Sequence, residues 1–276
     1  MPPVQPHWPP QFVQIGQVQL APLPEQHPRV QNWLAACLDT TAVEVDTAHN
    51  LKQGPERETW DCAFALEGRP TTAVLTLFKP GDLDTVNTSL PPAQVARKCL
   101  LAMRELPRLG IPTPTPYGTA VIGREAGLAC QRLESTAWVP GHRLQAAAIL
   151  ARIHSLAAGD LSAELQSLAR QSDPRAQRTT GSQAPVPAMA TLVHGDYFSA
   201  NILPTANGLK IIDWETFAWG DPMWDLGFLI GADRDLPRDE VESVIAEYAK
   251  SRPVHREQLQ WHQRRWADSW QRRKTQ

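Results

Sequence analysis

The chain has 276 residues, enough for a sizeable hydrophobic core in one large domain or in two lobes. Its formal net charge of -2 gives no reason to expect nucleic acid or an anionic membrane as a partner. The 4 cysteines are scattered without a CxxC pair, no apolar run is long enough to span a membrane, and the N-terminus lacks the pattern of a signal peptide. We therefore expect a cytoplasmic protein without a zinc site or disulfides.

Strands are predicted mainly in the first half of the chain and helices mainly in the second. Residues 1–40 form a Pro-rich extension that ends in a short helix, residues 41–134 a strand-rich lobe, and residues 135–276 a helical lobe. The predicted strands are Ala42–Val45, Thr59–Leu66, Thr72–Phe78, Pro116–Val121 and Leu128–Leu133. The predicted helices are Pro28–Leu38, Pro91–Leu106, Arg143–Ala157, Met223–Ile230 and a stretch that includes Val241–Tyr248. Asp235 is the predicted N-cap of the last helix.

The polar residues of Val193–Phe217 form the clearest functional pattern in the chain. Asp196 and Asn201 keep the spacing of a protein-kinase catalytic loop, in which the Asp acts as base for the attacking hydroxyl and the Asn binds a metal ion. A second metal-binding Asp follows downstream in that pattern, and here Asp213 comes directly after the apolar run Leu209–Ile212. The pattern predicts phosphoryl transfer, with Asp196 as the catalytic residue and Asn201 and Asp213 as metal ligands.

A hairpin is predicted between these two groups of polar residues. Asn207-Gly208 is typical of a type I′ turn and lies between the apolar runs Asn201–Leu203 and Lys210–Ile212. A tight hairpin of this kind would place Asn201 and Asp213 side by side.

Longer motifs extend the pattern. HGDYFSAN begins at His194, IDWE contains Asp213, and GDPMWDL contains Asp225. Over residues 193–227 the chain resembles the aminoglycoside phosphotransferase and choline kinase-like superfamily, whose pattern is HGDxxxxN followed by IDWE or IDFE. The flanking regions fit that pattern more loosely.

The resemblance implies an α+β, two-lobed protein-kinase-like fold, with a small antiparallel sheet and one main helix in the first lobe and a larger helical second lobe. It implies transfer of a γ-phosphate from ATP or GTP, with Mg²⁺, to a hydroxyl of a small molecule. It gives His194 and Asp225 the task of supporting the catalytic loop. The acceptor stays open among aminoglycosides, other sugars, homoserine and amino alcohols such as choline. The sequence carries no signal for an oligomeric state.

The third predicted strand departs from the family pattern. The family has a phosphate-binding lysine or arginine where this chain has Thr76, which can donate a hydrogen bond but carries no charge. Lys79, just past the strand, is either a cofactor-binding group or a solvated strand-end charge. Lys98 borders the apolar stripe of Pro91–Leu106, from which its ammonium either reaches the phosphates or extends to solvent. The missing cation keeps a second function open, that of a nucleotide-binding pseudokinase acting as a scaffold or regulator.

Further segments of the first lobe correspond to nucleotide-binding positions of the family. Gly54-Pro55-Glu56 lies between the first two predicted strands, where family members carry a loop over the phosphates. With a single glycine, this segment fits an ordinary turn equally well. Gln131–Glu134 resembles the hinge between lobes, where the adenine ring meets backbone groups.

Overall fold

The computed structural model describes residues 27–55, 57–80, 90–172, 190–232 and 236–264 of the chain. The helices are α1 (His27–Leu38), α2 (Pro92–Glu105), α3 (Pro140–Ile153), α4 (Ala163–Gln171), α5 (Pro222–Gly231) and α6 (Arg238–Ala249). The strands are β1 (Val43–Gln53), β2 (Arg57–Leu66), β3 (Arg69–Phe78), β4 (Pro116–Ile122), β5 (Glu125–Gln131), β6 (Thr191–Val193), β7 (Ile202–Thr205), β8 (Gly208–Ile211) and β9 (Ala218–Gly220). A further helical stretch covers 256–264. Most of the predicted Pro-rich extension, residues 1–26, lies outside the described residues.

A 5-stranded antiparallel sheet forms the first lobe, in the order β1-β2-β3-β5-β4. Side chains alternate between the two faces of a strand, so Trp60, Cys62 and Phe64 of β2 lie on one face and are buried. Helix α1 covers this face and adds Trp33 and Leu34 to the same hydrophobic core. The opposite face of the sheet is thereby left for α2 and the second lobe.

A larger core joins that opposite face to the rest of the molecule. It contains Phe78 and Leu128 from the sheet, Leu106 next to α2, and Leu150 and Leu226 from the helical lobe. Because one continuous core spans both lobes, the sheet and the helices are held against each other by buried apolar area. No helix within the described ranges is long and apolar enough to cross a membrane.

The predicted hairpin is confirmed as β7–β8, but its predicted turn type is wrong. Thr205 pairs with Gly208, which makes Ala206 and Asn207 the central residues of the turn. Positive φ is found in this turn only at Gly208 (95°), whereas a type I′ turn requires positive φ at both central residues. Gly208 therefore follows the two central residues of the turn and is not one of them. Ile212 N donates to the Asn201 carbonyl at 3.0 Å, so the hairpin does bring the two halves of the site together.

Some predicted boundaries are also corrected. Strand β1 continues to Gln53 instead of ending at Val45, because its polar second half pairs with β2 through backbone hydrogen bonds. Helix α6 begins at Arg238 with Pro237 in the N-cap position, so the predicted N-cap at Asp235 is wrong; Asp235 itself lies outside the described residues. Most of the polar segment 171–187, for which a loop is expected from its Ser, Thr, Arg and Pro residues, lies outside them as well. Helix α4, which precedes that segment, was not predicted.

Candidate active site

The catalytic loop follows strand β6 and leads through a short 3-10 turn into β7. Within it, the Asn201 amide Nδ2 donates to the Asp196 carboxylate Oδ2 at 3.1 Å and to the Asp196 carbonyl at 2.9 Å. These bonds fix both side chains in one orientation. They also assign the nitrogen of the amide to Asp196, so its oxygen is the atom that suits a cation.

Asp225 anchors the start of this loop from helix α5. Its side chain is fully buried, and it accepts hydrogen bonds from His194 N at 2.6 Å and Gly195 N at 2.9 Å. The neighbouring Trp224 donates from Nε1 to the Gly195 carbonyl at 2.9 Å. The His194 ring reaches the Ile212 carbonyl through Nε2 at 2.9 Å, which ties the loop to the end of β8. The catalytic loop is therefore attached to α5 on one side and to the hairpin on the other.

Gly195 allows a close contact between the loop and the segment after Asp213. Its φ of +84 lies in the left-handed region that favours glycine. A Cβ added there would lie 2.7 Å from the Thr216 carbonyl oxygen. Thr216 Oγ1 also donates to the His194 carbonyl at 2.8 Å. A larger residue at position 195 would have to separate these two segments.

Sequence reasoning gave no role to His154, which the structure places in a buried polar network. Its Nδ1 lies 2.8 Å from the Tyr248 hydroxyl and its Nε2 lies 3.3 Å from Asp225 Oδ2. His154 is 1% exposed, so these two partners make the hydrogen bonds that water would make to an exposed imidazole. The contact joins α3 and α6 to the residue that anchors the catalytic loop. Only its place near the end of an apolar helix was visible in the sequence.

Asp213 follows β8 with a φ of +67, an unusual conformation for a residue other than glycine. Its Oδ1 accepts a hydrogen bond from Arg57 Nη1 at 2.5 Å, and the same nitrogen lies 2.9 Å from Glu215 Oε2. Burial raises the pKa of the Asp213 carboxyl, but the charge and hydrogen bond of Arg57 outweigh burial and hold that pKa below its ordinary value. The Asp213 charge in turn raises the pKa of Arg57. Sequence reasoning missed Arg57 entirely.

The two lysines considered as phosphate ligands have partners inside the protein. Lys79 Nζ forms an ion pair with Glu58 Oε1, and Glu58 also binds Arg29 of α1 at 2.8 Å. Glu58 is 3% exposed and points to the α1 side of the sheet, as the alternation along β2 requires. Lys79 therefore neutralises a buried carboxylate, which corrects its reading as a solvated charge.

Lys98 is 0% exposed, so the reading in which its ammonium extends to solvent is wrong. Its Nζ lies 2.5 Å from Ser172 Oγ and 3.0 Å from the Phe217 carbonyl. Burial lowers the pKa of Lys98 to about 8. The Lys98 ammonium thus connects α2 to the end of α4 and to the segment after Asp213. It is enclosed by protein groups, whereas one of the two predictions for Lys98 had it bind the phosphates.

The donor set next to the catalytic loop suits a magnesium ion. The carboxylates of Asp213 and Glu215 and the amide of Asn201 offer hard oxygen atoms, which Mg²⁺ prefers. Arg57 Nη1 lies between the two carboxylates, which shows that this position stabilises positive charge. Within the described ranges, no group of three or more His, Cys, Asp or Glu residues could hold a metal ion.

The comparisons with known proteins agree with the fold and the site described above. Residues 182–265 match the model of the phosphotransferase enzyme family, APH. This match confirms the resemblance predicted from the HGD and IDWE motifs, and it supports a small-molecule phosphotransferase as the class of activity. No curated protein sequence is significantly similar to the chain.

Solved structures show the same fold. Spectinomycin phosphotransferase APH(9)-Ia, in an AMP-bound complex, has a TM-score of 0.58 and 12% identity, covering 85% of this chain and 84% of that one. A candidate fructosamine-3-kinase from Haemophilus somnus has a TM-score of 0.56 and 12% identity, covering 86% of each chain. A choline/ethanolamine kinase family protein from Mesorhizobium loti has a TM-score of 0.51 and 17% identity, covering 82% and 77%. The predicted two-lobed α+β fold is therefore confirmed.

Proposed function

We propose that this protein transfers the γ-phosphate of ATP or GTP to a hydroxyl group of a small molecule, with Mg²⁺ as cofactor. The observation that carries the proposal is the bonded pair of Asp196 and Asn201, which the β7–β8 hairpin brings next to Asp213. A base, an amide and a carboxylate in this arrangement are the groups that phosphoryl transfer requires of a protein.

Each residue has a defined role in this proposal. Asp196 orients the acceptor hydroxyl and accepts its proton late in the transfer. Asn201 and Asp213 hold Mg²⁺, which neutralises charge on the phosphates when bound. His194 and Asp225 keep the loop in place through the contacts described above. Because phosphoryl transfer depends mostly on positioning, these supporting contacts contribute to activity by holding Asp196 and Asn201 in place.

The acceptor is an aminoglycoside-like compound, another sugar or an amino alcohol. The chain's likeness to the sequence family and to the kinase folds supports this range without selecting among its members. The nucleotide is supported by the AMP-bound state of a structural neighbour.

Thr76 favours one alternative, a nucleotide-binding pseudokinase that acts as a scaffold or regulator. The side chain at this position of β3 has no charge to pair with phosphate. Such a protein would bind nucleotide and transfer no phosphate.

One experiment separates the two functions. Magnesium-dependent turnover of ATP and GTP is measured with a broad panel of hydroxyl acceptors, with Asp196→Asn as the inactive control and Asp239→Asn, at an exposed position, as the matched control. Acceptor-dependent turnover that is lost only in Asp196→Asn supports the kinase. Nucleotide binding without phosphorylation of any acceptor supports the pseudokinase.

A further inference from the structure

The face of the sheet that lacks the expected strand cation carries a different one. Thr59 of β2 pairs directly with Thr76 of β3. Arg57 lies two positions before Thr59 on the same strand, so its side chain shares that face. The guanidinium then extends to Asp213 and Glu215 at the edge of the catalytic loop. A positive charge is therefore present beside the site, supplied by the second strand instead of the third.

The geometry of Arg57 resembles that of a bridging cation. One nitrogen, Nη1, makes both contacts, at 2.5 Å to Asp213 and 2.9 Å to Glu215. The guanidinium has five N–H donors arranged as a planar fork, and that fork also matches phosphate oxygens. The side chain is 17% exposed, so most of it is desolvated while a part of it remains open to solvent.

The two carboxylates attract both Arg57 and a magnesium ion. A magnesium ion held by Asp213 would neutralise the charge that holds the guanidinium and would itself repel the guanidinium. The phosphates bring new negative charge to the same place. A guanidinium released from the carboxylates could then bind the phosphate oxygens.

We propose that Arg57 is the phosphate-binding cation of this protein: without nucleotide it holds Asp213 and Glu215 together, and with the magnesium nucleotide it binds the β- and γ-phosphates. This inference rests on the proposed function, because it requires that the cleft bind a nucleoside triphosphate. In this proposal Arg57 replaces the lysine or arginine that the family has at the position of Thr76. The absence of that cation is the main reason to regard the protein as inactive, and Arg57 would remove it.

Binding of nucleotides to the full-length protein tests the inference without any turnover. Isothermal titration calorimetry in the presence of Mg²⁺ measures the affinities for AMP and for a non-hydrolysable ATP analogue. The proteins compared are the wild type, Arg57→Gln and the matched control Arg97→Gln. The Arg97 guanidinium pairs with Glu164 on the surface. We expect Arg57→Gln to weaken the analogue about 10- to 100-fold and to leave AMP within about twofold, since AMP has no β- or γ-phosphate. Arg97→Gln should behave like the wild type.

A second variant keeps the test informative if Arg57→Gln alone does not fold once both carboxylates have lost the guanidinium. Arg57→Gln/Glu215→Gln removes one charge of each sign, and it is compared directly with Glu215→Gln, so that the two proteins differ only at position 57. The same selective weakening of the analogue is expected.

The outcomes separate this inference from the proposed function. Analogue binding that is unchanged in the Arg57 variants shows a purely structural ion pair and overturns the inference. Tighter binding shows that Arg57 only competes with the metal and overturns it as well. A wild-type protein that binds neither the analogue nor AMP contradicts the proposed function itself.

Discussion

The catalytic loop and the strand-rich lobe differ in how far along the chain their polar contacts reach. Asn201 and Asp196 are separated by 5 residues, and the His194 ring meets a carbonyl 18 residues away. The Arg57–Asp213 contact spans 156 residues, and the Lys98–Phe217 contact spans 119. A motif can encode contacts of the first kind by spacing alone. Contacts of the second kind exist only once the two lobes pack together.

The largest effect is expected in the catalytic loop itself. Asn in place of Asp196 cannot accept the proton of the acceptor, so Asp196→Asn should lower turnover by about 10²- to 10⁴-fold. Nucleotide affinity should change little, because Asp196 binds neither the metal ion nor the phosphates in the proposed arrangement. Steady-state turnover and nucleotide titration of the same preparation measure both. Turnover of Asp196→Asn close to that of the wild type would contradict the proposed role of Asp196 as the base for the acceptor hydroxyl.

Loss of the Asp225 anchor should rank second. Asp225→Ala leaves the buried N–H groups of His194 and Gly195 without an acceptor, and we expect the free energy of unfolding to fall by about 3 kcal/mol. Glu44→Ala, at an exposed position of β1, is the control and should cost less than about 0.5 kcal/mol. Urea unfolding measures both. Equal effects would show that the loop is held by other contacts.

In the strand-rich lobe, Lys98 should make stability depend on pH. Its pKa is lowered from 10.5 to about 8 in the folded protein, so between these values the unfolded chain holds a proton that the folded protein has released. Stability therefore rises with pH across this range. Relative to Lys98→Met, the wild type should gain about 1.5 kcal/mol in unfolding free energy between pH 8 and 9.5.

Urea unfolding at the two pH values measures this gain. Lys250→Met, at a lysine whose side chain is 67% exposed, controls for the loss of a lysine as such. A difference between wild type and Lys98→Met that does not vary with pH would contradict the buried, desolvated state of this ammonium.

The smallest effect is expected for the surface pair of Arg97 and Glu164. Its two hydrogen bonds of 2.7 Å have good geometry, but both side chains are largely exposed and screened by solvent. Arg97→Ala should lower the unfolding free energy by at most about 0.5 kcal/mol, and less at high salt. A loss as large as that of Asp225→Ala would mean that distance along the chain and burial are poor guides to which contacts matter here.

The sequence predicted the hairpin, the spacing of Asp196 and Asn201, and the position of Asp213 at a strand end, because turn residues and motif spacing are local properties. The sequence shows that Thr76 carries no charge, but it could not show that Arg57 lies on the same face of the sheet, since a residue at the start of β2 reveals its partners only through strand pairing. Lys98 was assigned to the border of an apolar stripe, and helical periodicity could not reveal that Ser172 and Phe217 enclose its ammonium. The sequence placed His154 near the end of a helix without a catalytic role, and it could not show the partners of this side chain because they lie on α5 and α6.

The contact at Gly195 has a consequence for motion between the lobes. Thr216 fills the space beside Gly195 and donates to the His194 carbonyl, so the catalytic loop and the Asp213 segment should move as one rigid unit with the helical lobe. Arg57 travels with the sheet. An opening between the lobes would therefore keep the spacing between Asp196 and Asp213 and lengthen contacts that cross from one lobe to the other, among them those of Arg57 with Asp213 and Glu215, where a probe would report domain closure.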